Sequence, residues 1–167
     1  VTIVSGPVNV QLFHPNVKIV PVKSAGEMFD KCKEYTPQAD MIVLCAAVAD
    51  FTVKEKADKK IKREKSDYSL TLTPTQDIAA WVGANKREDT FLTGFALETN
   101  DELENAKGKL KRKNLDMIVL NSMQDAGAGF KTDTNKITII TSDGHIEEYP
   151  LKSKTEVAAD IIDKMEC

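Results

Sequence analysis

Histidine and cysteine are scarce in this chain and long apolar runs are missing; each shortage removes a class of function. His14 and His145 stand isolated, so no His/Cys metal centre is expected and no metal ligands are assigned. Cys32, Cys45 and Cys167 are odd in number and lack CxxC spacing. They read as reduced thiols of a cytoplasmic protein, two of them in the core. No window is long and apolar enough to cross a membrane, and no signal-peptide pattern occurs, so no membrane partner is expected. A Walker loop, a nucleophile elbow and a paired-carboxylate spacing are also missing. So are internal repeats and low-complexity segments. The initiator Met is absent too: Val1-Thr-Ile-Val4 already reads as a strand, which suggests a piece of a longer protein.

What is present fits one ordinary globular domain: 167 residues, 41% hydrophobic and 29% charged, with net charge -3. The charge is uneven. Lys54–Lys65 carries seven bases and three acids, or +4, leaving -7 for the rest. The basic run holds no aromatic residue, so nucleic acid is not the expected partner. Just before it, Met41–Phe51 opens as an apolar run of strand length, shrinks to Ala46, Ala47 and Ala49, and ends on Asp50. The run reads as a central strand, Met41–Ala47, buried on both faces, whose small residues leave room for a ligand at its carboxyl end.

Strand and helix signals alternate along the chain. Strands are expected at Val1–Val4, Val17–Val22, Met41–Ala47, Ser66–Thr73 (burying Tyr68, Leu70 and Leu72), Phe91–Ala96 and Met117–Leu120. Helices are expected after the boxes Ser24–Glu27, Thr73–Gln76 and Ser153–Glu156, and from Thr99–Glu102 with Leu103, Ala106 and Leu110 facing inward. Asp125–Asn135 reads as a loop, and Ser142-Asp143-Gly144 as the turn of a hairpin. The expected fold is α/β: an open, mostly parallel, Rossmann-like sheet with helices on both faces, a basic flap insertion and a late edge hairpin. Residues 1–167 are taken as a single domain, with 52–73 as the flap excursion and its strand.

The candidate residues each have a plain structural reading as well. The lysines of the basic run, Lys60 beside Ile61 in particular, either form a solvated loop or close as a flap over a polyphosphate. Lys109 and Lys113 share a helix face, as a favourable helix end or as phosphate ligands. Asp50 and Asn121 follow apolar strands directly, so they either start turns or line one sheet edge. Gly94-Phe95-Ala96 ends a further strand with an aromatic ring.

Ala46-Ala47-Val48-Ala49-Asp50-Phe51, Lys60-Ile61-Lys62, Gly94-Phe95-Ala96-Leu97-Glu98-Thr99 and Lys113-Asn114-Leu115-Asp116 through Asn121 occur here in that order. With Gly6-Pro7 and Ser24–Met28 the set resembles the phosphopantothenate–cysteine ligase family over nearly the whole chain. In many bacteria that ligase is the C-terminal half of a bifunctional flavoprotein of coenzyme A synthesis. The resemblance implies a two-step reaction: phosphopantothenate is activated by CTP with Mg2+ as an acyl-cytidylate, and cysteine then displaces CMP to form an amide. It implies Ala46, Ala47 and Asp50 at the acyl-nucleotide, Asn121 at the phosphopantothenate arm, and Lys60 as the catalytic flap lysine on the triphosphate. Asp77, Ile78, Phe95, Lys109 and Lys113 would line the nucleotide site. A homodimer is implied, as is a fused phosphopantothenoylcysteine decarboxylase that alone would carry FMN.

Two departures stand out. The family's glycine-rich first strand and its Ser-Ser-Gly segment, preceded by Asn, would lie before Val1. Thr73-Pro-Thr-Gln-Asp77 differs in spacing from the Asn-Pro-Asp-Ile form. The competing reading is a nucleotide-binding α/β module without catalysis.

Overall fold

The computed structural model describes residues 1–8, 13–57, 59–62, 67–98, 100–122 and 132–166. In chain order the elements are β1 (Thr2–Ser5), β2 (Lys18–Pro21), α1 (Ala25–Tyr35), β3 (Met41–Leu44), β4 (Phe51–Val53), β5 (Leu72–Pro74) and α2 (Ile78–Asn85). Then follow β6 (Phe91–Glu98), α3 (Glu102–Arg112), β7 (Met117–Ser122), β8 (Thr134–Asn135), β9 (Ile137–Thr141), β10 (Ile146–Glu148), β11 (Lys152–Ser153) and α4 (Lys154–Glu166). The contacts divide the chain into two compact units, Val1–Cys32 with Ala46–Ile78, and Lys33–Cys45 with Ala79–Cys167.

In the first unit β1 and β2 pair in parallel, and β4 and β5 pair antiparallel. Helix α1 starts where expected: Glu27 N–H donates to Ser24 Oγ at 3.2 Å, while the Glu27 carboxylate accepts from Lys23 N–H at 2.8 Å. Two expectations fail here. Of Ser66–Thr73 only the end is strand, and Tyr68, Leu70 and Leu72 are exposed. Alternation marks a strand only where a partner exists to pair with, and β4 is three residues long. The Thr73–Gln76 box caps no helix. Pro74 closes β5 opposite Phe51, the Thr75 hydroxyl donates to the Ala49 carbonyl at 2.7 Å, and α2 opens only at Ile78.

The second unit is built on a five-stranded sheet ordered β10-β9-β7-β6-β3. Strands β3, β6 and β7 are parallel; β9 and β10 complete it antiparallel. Residues in register share a face. Met117, Val119, Ile137 and Ile139 therefore point one way, where Val157, Ile161 and Met165 of α4 pack on them. Helix α3 packs on β6 and β7 from the other side, burying Ala106 and Leu110. Leu103 was expected to face inward too, yet it is exposed, because α3 begins at Glu102 and its first turn stands clear of the sheet.

Strand β3 is shorter than Met41–Ala47 and its exposure alternates, with Met41 46% and Val43 40% exposed. It stands last in the sheet order and, among the described residues, pairs only with β6, as far as Leu44 opposite Gly94. A continuous apolar run does not reveal whether a strand lies at the edge or the centre of a sheet. Cys45 is accordingly exposed and Cys32 is half-buried, its thiol pushed up by that burial, whereas Cys167 lies outside the described residues. Of the expected Asp125–Asn135 loop, 125–131 lie outside the described residues, and Thr134–Asn135 form β8, paired with β11.

The hairpin turn is as expected. Gly144 takes φ 92, and Asp143 accepts from the Thr141 hydroxyl and from His145 N–H. The capping box of α4 is reciprocal: Glu156 N–H donates to Ser153 Oγ at 3.3 Å, and Ser153 N–H donates to Glu156 Oε2 at 3.0 Å. Those bonds favour the ionised carboxylate and hold Glu156 below its ordinary range. A depressed carboxylate stabilises the fold above its unfolded pKa, and that stabilisation is lost as pH falls through the folded value. Wild type is therefore expected to melt above Glu156→Gln at neutral pH, with the gap closing as pH falls through and below the ordinary glutamate range. Melting curves of the two proteins across that range check it.

Candidate functional site

The sequence-derived candidates fall in both units. The first carries Ala46, Ala47, Asp50, Lys60, Asp77 and Ile78; the second carries Phe95, Lys109, Lys113 and Asn121.

In the first unit β4 and β5 pair as the stems of a hairpin, and the described part of the basic run, 54–57 and 59–62, lies between them in sequence. Lys54 N–H donates to the Thr71 carbonyl at 2.9 Å, extending the stem by one rung. At its base Thr75 N–H donates to the Asp50 carbonyl at 2.9 Å, and the Thr75 hydroxyl holds Ala49. The Ala46–Asp50 segment is thus tied to Thr75, two residues before Asp77 and the start of α2. Lys60 lies out on the loop, where 59–62 have neither helix nor strand and are exposed, Ile61 included. The Ala46, Ala47 and Asp50 side chains are exposed as well, so the small-residue floor is an open backbone surface.

In the second unit the parallel strands set two edges. Leu44, Glu98 and Ser122 end β3, β6 and β7 at the carboxyl edge, where ligands sit in open α/β sheets. Asn121 is in register with Leu97 and Ile137, inside β7 by one residue. Its Oδ1 is sealed from solvent and takes no hydrogen bond from a described residue. A buried amide oxygen left so is costly, which marks the position for a donor. Phe95 shares that face but is half-buried against the Met117–Met165 cluster, so its ring packs on the core. Lys109 pairs with Glu98 at 2.6 Å, on the opposite face.

The Lys113–Asp116 motif lies at the other, amino edge, and most of it is a joint of the fold. Asn114 takes φ 49 at the end of α3 and donates to the Gly83 carbonyl at 2.8 Å. Leu115 fills the space over Gly94. Asp116 accepts from Leu92 N–H at 2.7 Å and pairs with the buried Lys86 ammonium at 3.0 Å, which also donates to the Thr90 carbonyl. Lys113 is the half-buried C-cap of α3, and its carbonyl faces Gly83. Sequence reasoning passed over Glu98 and the Asp116–Lys86 pair. A carboxylate at the end of an apolar strand, with lysines on the next helix, was the available signal for the first.

The mostly parallel sheet with helices packed on it is a Rossmann-like α/β fold. The chain belongs to the family described as the DNA/pantothenate metabolism flavoprotein C-terminal domain, whose model matches residues 1–167. It is 51% identical over 165 residues to a cysteine/cysteine sulfinic acid decarboxylase of an unknown prokaryotic organism, covering 99% of this chain and 46% of that protein. It is 39% identical to the coenzyme A biosynthesis bifunctional protein CoaBC of Bacillus subtilis (strain 168), covering 99% of this chain and 40% of that one. The chain thus spans less than half the length of these relatives. The crystal structure of the C-terminal domain of a CoaBC superposes with a TM-score of 0.80 at 32% identity, covering 99% of this chain and 72% of that one.

Proposed function

We propose that the full-length protein joins 4'-phosphopantothenate to cysteine, using CTP, as the ligase step of coenzyme A synthesis. The observation that carries this reading is the match of residues 1–167 to the C-terminal domain family, shared with bifunctional coenzyme A proteins. In the first step a carboxylate oxygen of phosphopantothenate attacks the α-phosphorus of CTP. The bond to the β-phosphate breaks, and pyrophosphate leaves. In the second step the amine of cysteine attacks the acyl carbon, the bond to CMP breaks, the amine sheds a proton, and the amide forms.

Little covalent work falls to the protein; positioning and charge do most of it. Lys60 answers the charge that builds on the leaving pyrophosphate. Ala46, Ala47 and Asp50 hold the acyl-nucleotide by an exposed backbone that the Thr75 hydrogen bonds keep in place. Of the residues implied at the nucleotide, Asp77, Ile78 and Lys109 are taken to line it, whereas Phe95, packed on the core, and Lys113, at the amino edge, are not. Asn121 offers its buried oxygen, which takes no hydrogen bond from a described residue, to a donor of the phosphopantothenate arm, which has amide N–H and hydroxyl groups. Among the described residues no three His, Cys, Asp or Glu side chains group as a metal site. Mg2+ would enter with the triphosphate, whose oxygens would supply most of its ligands. The working form is a cytoplasmic homodimer, with a phosphopantothenoylcysteine decarboxylase as the fused partner.

The decarboxylase name of the 51% relative belongs to a protein of which this chain matches 46%, and it leaves the ligase reading of the shared part standing. The competing reading, a nucleotide-binding module without catalysis, is separated by one assay. Pyrophosphate release is measured with phosphopantothenate, Mg2+ and CTP or ATP, cysteine being omitted. Release with CTP supports the ligase; binding of CTP without release supports the module.

A further inference from the structure

The carboxylate that ends β6 has no part in the ligation as described above. Glu98 closes that strand at the carboxyl edge of the parallel sheet, and its side chain is only 15% exposed. Its Oε1 is sealed from solvent and lies 2.6 Å from the Lys109 ammonium, with no well-directed hydrogen bond from a described residue. A carboxylate withdrawn from water this far requires a cation, and Lys109 supplies it.

The chain geometry explains why these two meet. Strand β6 leads directly into α3, which runs back from the carboxyl edge towards the amino edge of the sheet. Side chains on a helix lean towards its N-terminus. Lys109, two-thirds of the way along α3, is thus drawn back to the edge where β6 ends. Lys113, one turn further on, is not. Lys109 also keeps 35% of its side chain exposed. An ammonium has three donors, and its contact with Glu98 is poorly directed, so it can meet a further acceptor.

We propose that Glu98 is a positioning residue that anchors the Lys109 ammonium at the carboxyl edge, so that its donors meet an oxygen of the bound nucleotide. The proposal rests on the ligase reading. Glu98 does not touch the nucleotide, since a carboxylate repels phosphate; it acts through Lys109. The lysine reaches the ligand as half of a neutral pair, so it contributes to holding the nucleotide more than to stabilising the leaving group.

The test is the steady-state kinetics of the full-length protein with CTP as the varied substrate. Glu98→Gln keeps the shape and removes the charge, and it is expected to raise KM for CTP about tenfold with kcat within about twofold of wild type. Glu98→Asp keeps the charge at shorter reach and should fall between the two, which gives a reading even if Glu98→Gln does not fold. In a Lys109→Ala background, Glu98→Gln should change KM by less than about twofold, because the partner it orients is gone. An unchanged KM in Glu98→Gln, or the same increment with and without Lys109, overturns the positioning role. Wild-type protein that does not turn over CTP overturns the ligase reading instead, and this proposal with it.

Discussion

Replacing Lys60 by alanine in the full-length protein is expected to lower kcat for pyrophosphate release by about 100- to 1,000-fold, the usual loss when one preorganised charge-stabilising donor is removed. Lys60 sits in an exposed stretch carried by the β4–β5 hairpin, whose base is tied to Asp50 and Ala49. The run around it is the most basic in a chain of net charge -3, so its cations face no compensating excess of local acid. A lysine about 4 Å from a phosphate oxygen gains ~4 kcal/mol at an intermediate effective dielectric, and more once closure excludes water. Pyrophosphate gains charge as it leaves, so that interaction is stronger in the transition state than with bound CTP, and kcat should fall more than KM rises. Lys60→Arg, which keeps the charge but not the compact ammonium, should recover part of the rate. Steady-state kinetics on the three proteins check this. A module without catalysis would show weaker CTP binding in Lys60→Ala and no rate to lose.

The second large effect concerns stability. A Cβ at Gly83 would lie 1.8 Å from the backbone carbonyl oxygen of Lys113 and 3.4 Å from Asn114 Cβ. Neither neighbour can turn aside, because Asn114 holds its left-handed conformation through the hydrogen bond to the Gly83 carbonyl. Gly83→Ala must push α2 and the end of α3 apart, at a cost of about 3 kcal/mol or more. Gly94→Ala is the control. Its Cβ would meet Leu115 Cδ1 at 2.7 Å, the far end of a side chain that can shift, so the cost should be about 1 kcal/mol. Urea unfolding midpoints of the three proteins measure the difference; equal midpoints for Gly83→Ala and wild type would contradict the described joint.

What could be read from the sequence depended on how local the physics was. The boxes at Ser24 and Ser153 act within four residues, and both helices start where the boxes place them. Gly144 needs a positive φ that few other residues tolerate, and the hairpin lies around it. The box at Thr73 failed for a non-local reason: Thr73 pairs with Thr52 in the β4–β5 ladder, which keeps the chain extended where the helix would start. The Met41 run shows its strand but not its place, because pairing partners decide which strand stands at an edge. At the site, residue types gave the candidates and topology sorted their neighbours. The stripe Ala106–Leu110 predicts α3, yet nothing local says that Lys109 reaches back to Glu98 while the Lys113 carbonyl rests on Gly83. The Lys113–Asp116 motif looked functional as a string; in the fold, Asn114, Leu115 and Asp116 act as ties between elements.

The most direct test of the ligation is the fate of the carboxylate oxygens. Phosphopantothenate labelled with oxygen-18 in its carboxylate is turned over by the full-length protein with CTP, Mg2+ and cysteine, and the nucleotide and phosphate products are weighed by mass spectrometry. Attack on the α-phosphorus carries one labelled oxygen into CMP, and the amide product keeps the other. Unlabelled CMP, or label in inorganic phosphate alongside CDP, would contradict the acyl-cytidylate route.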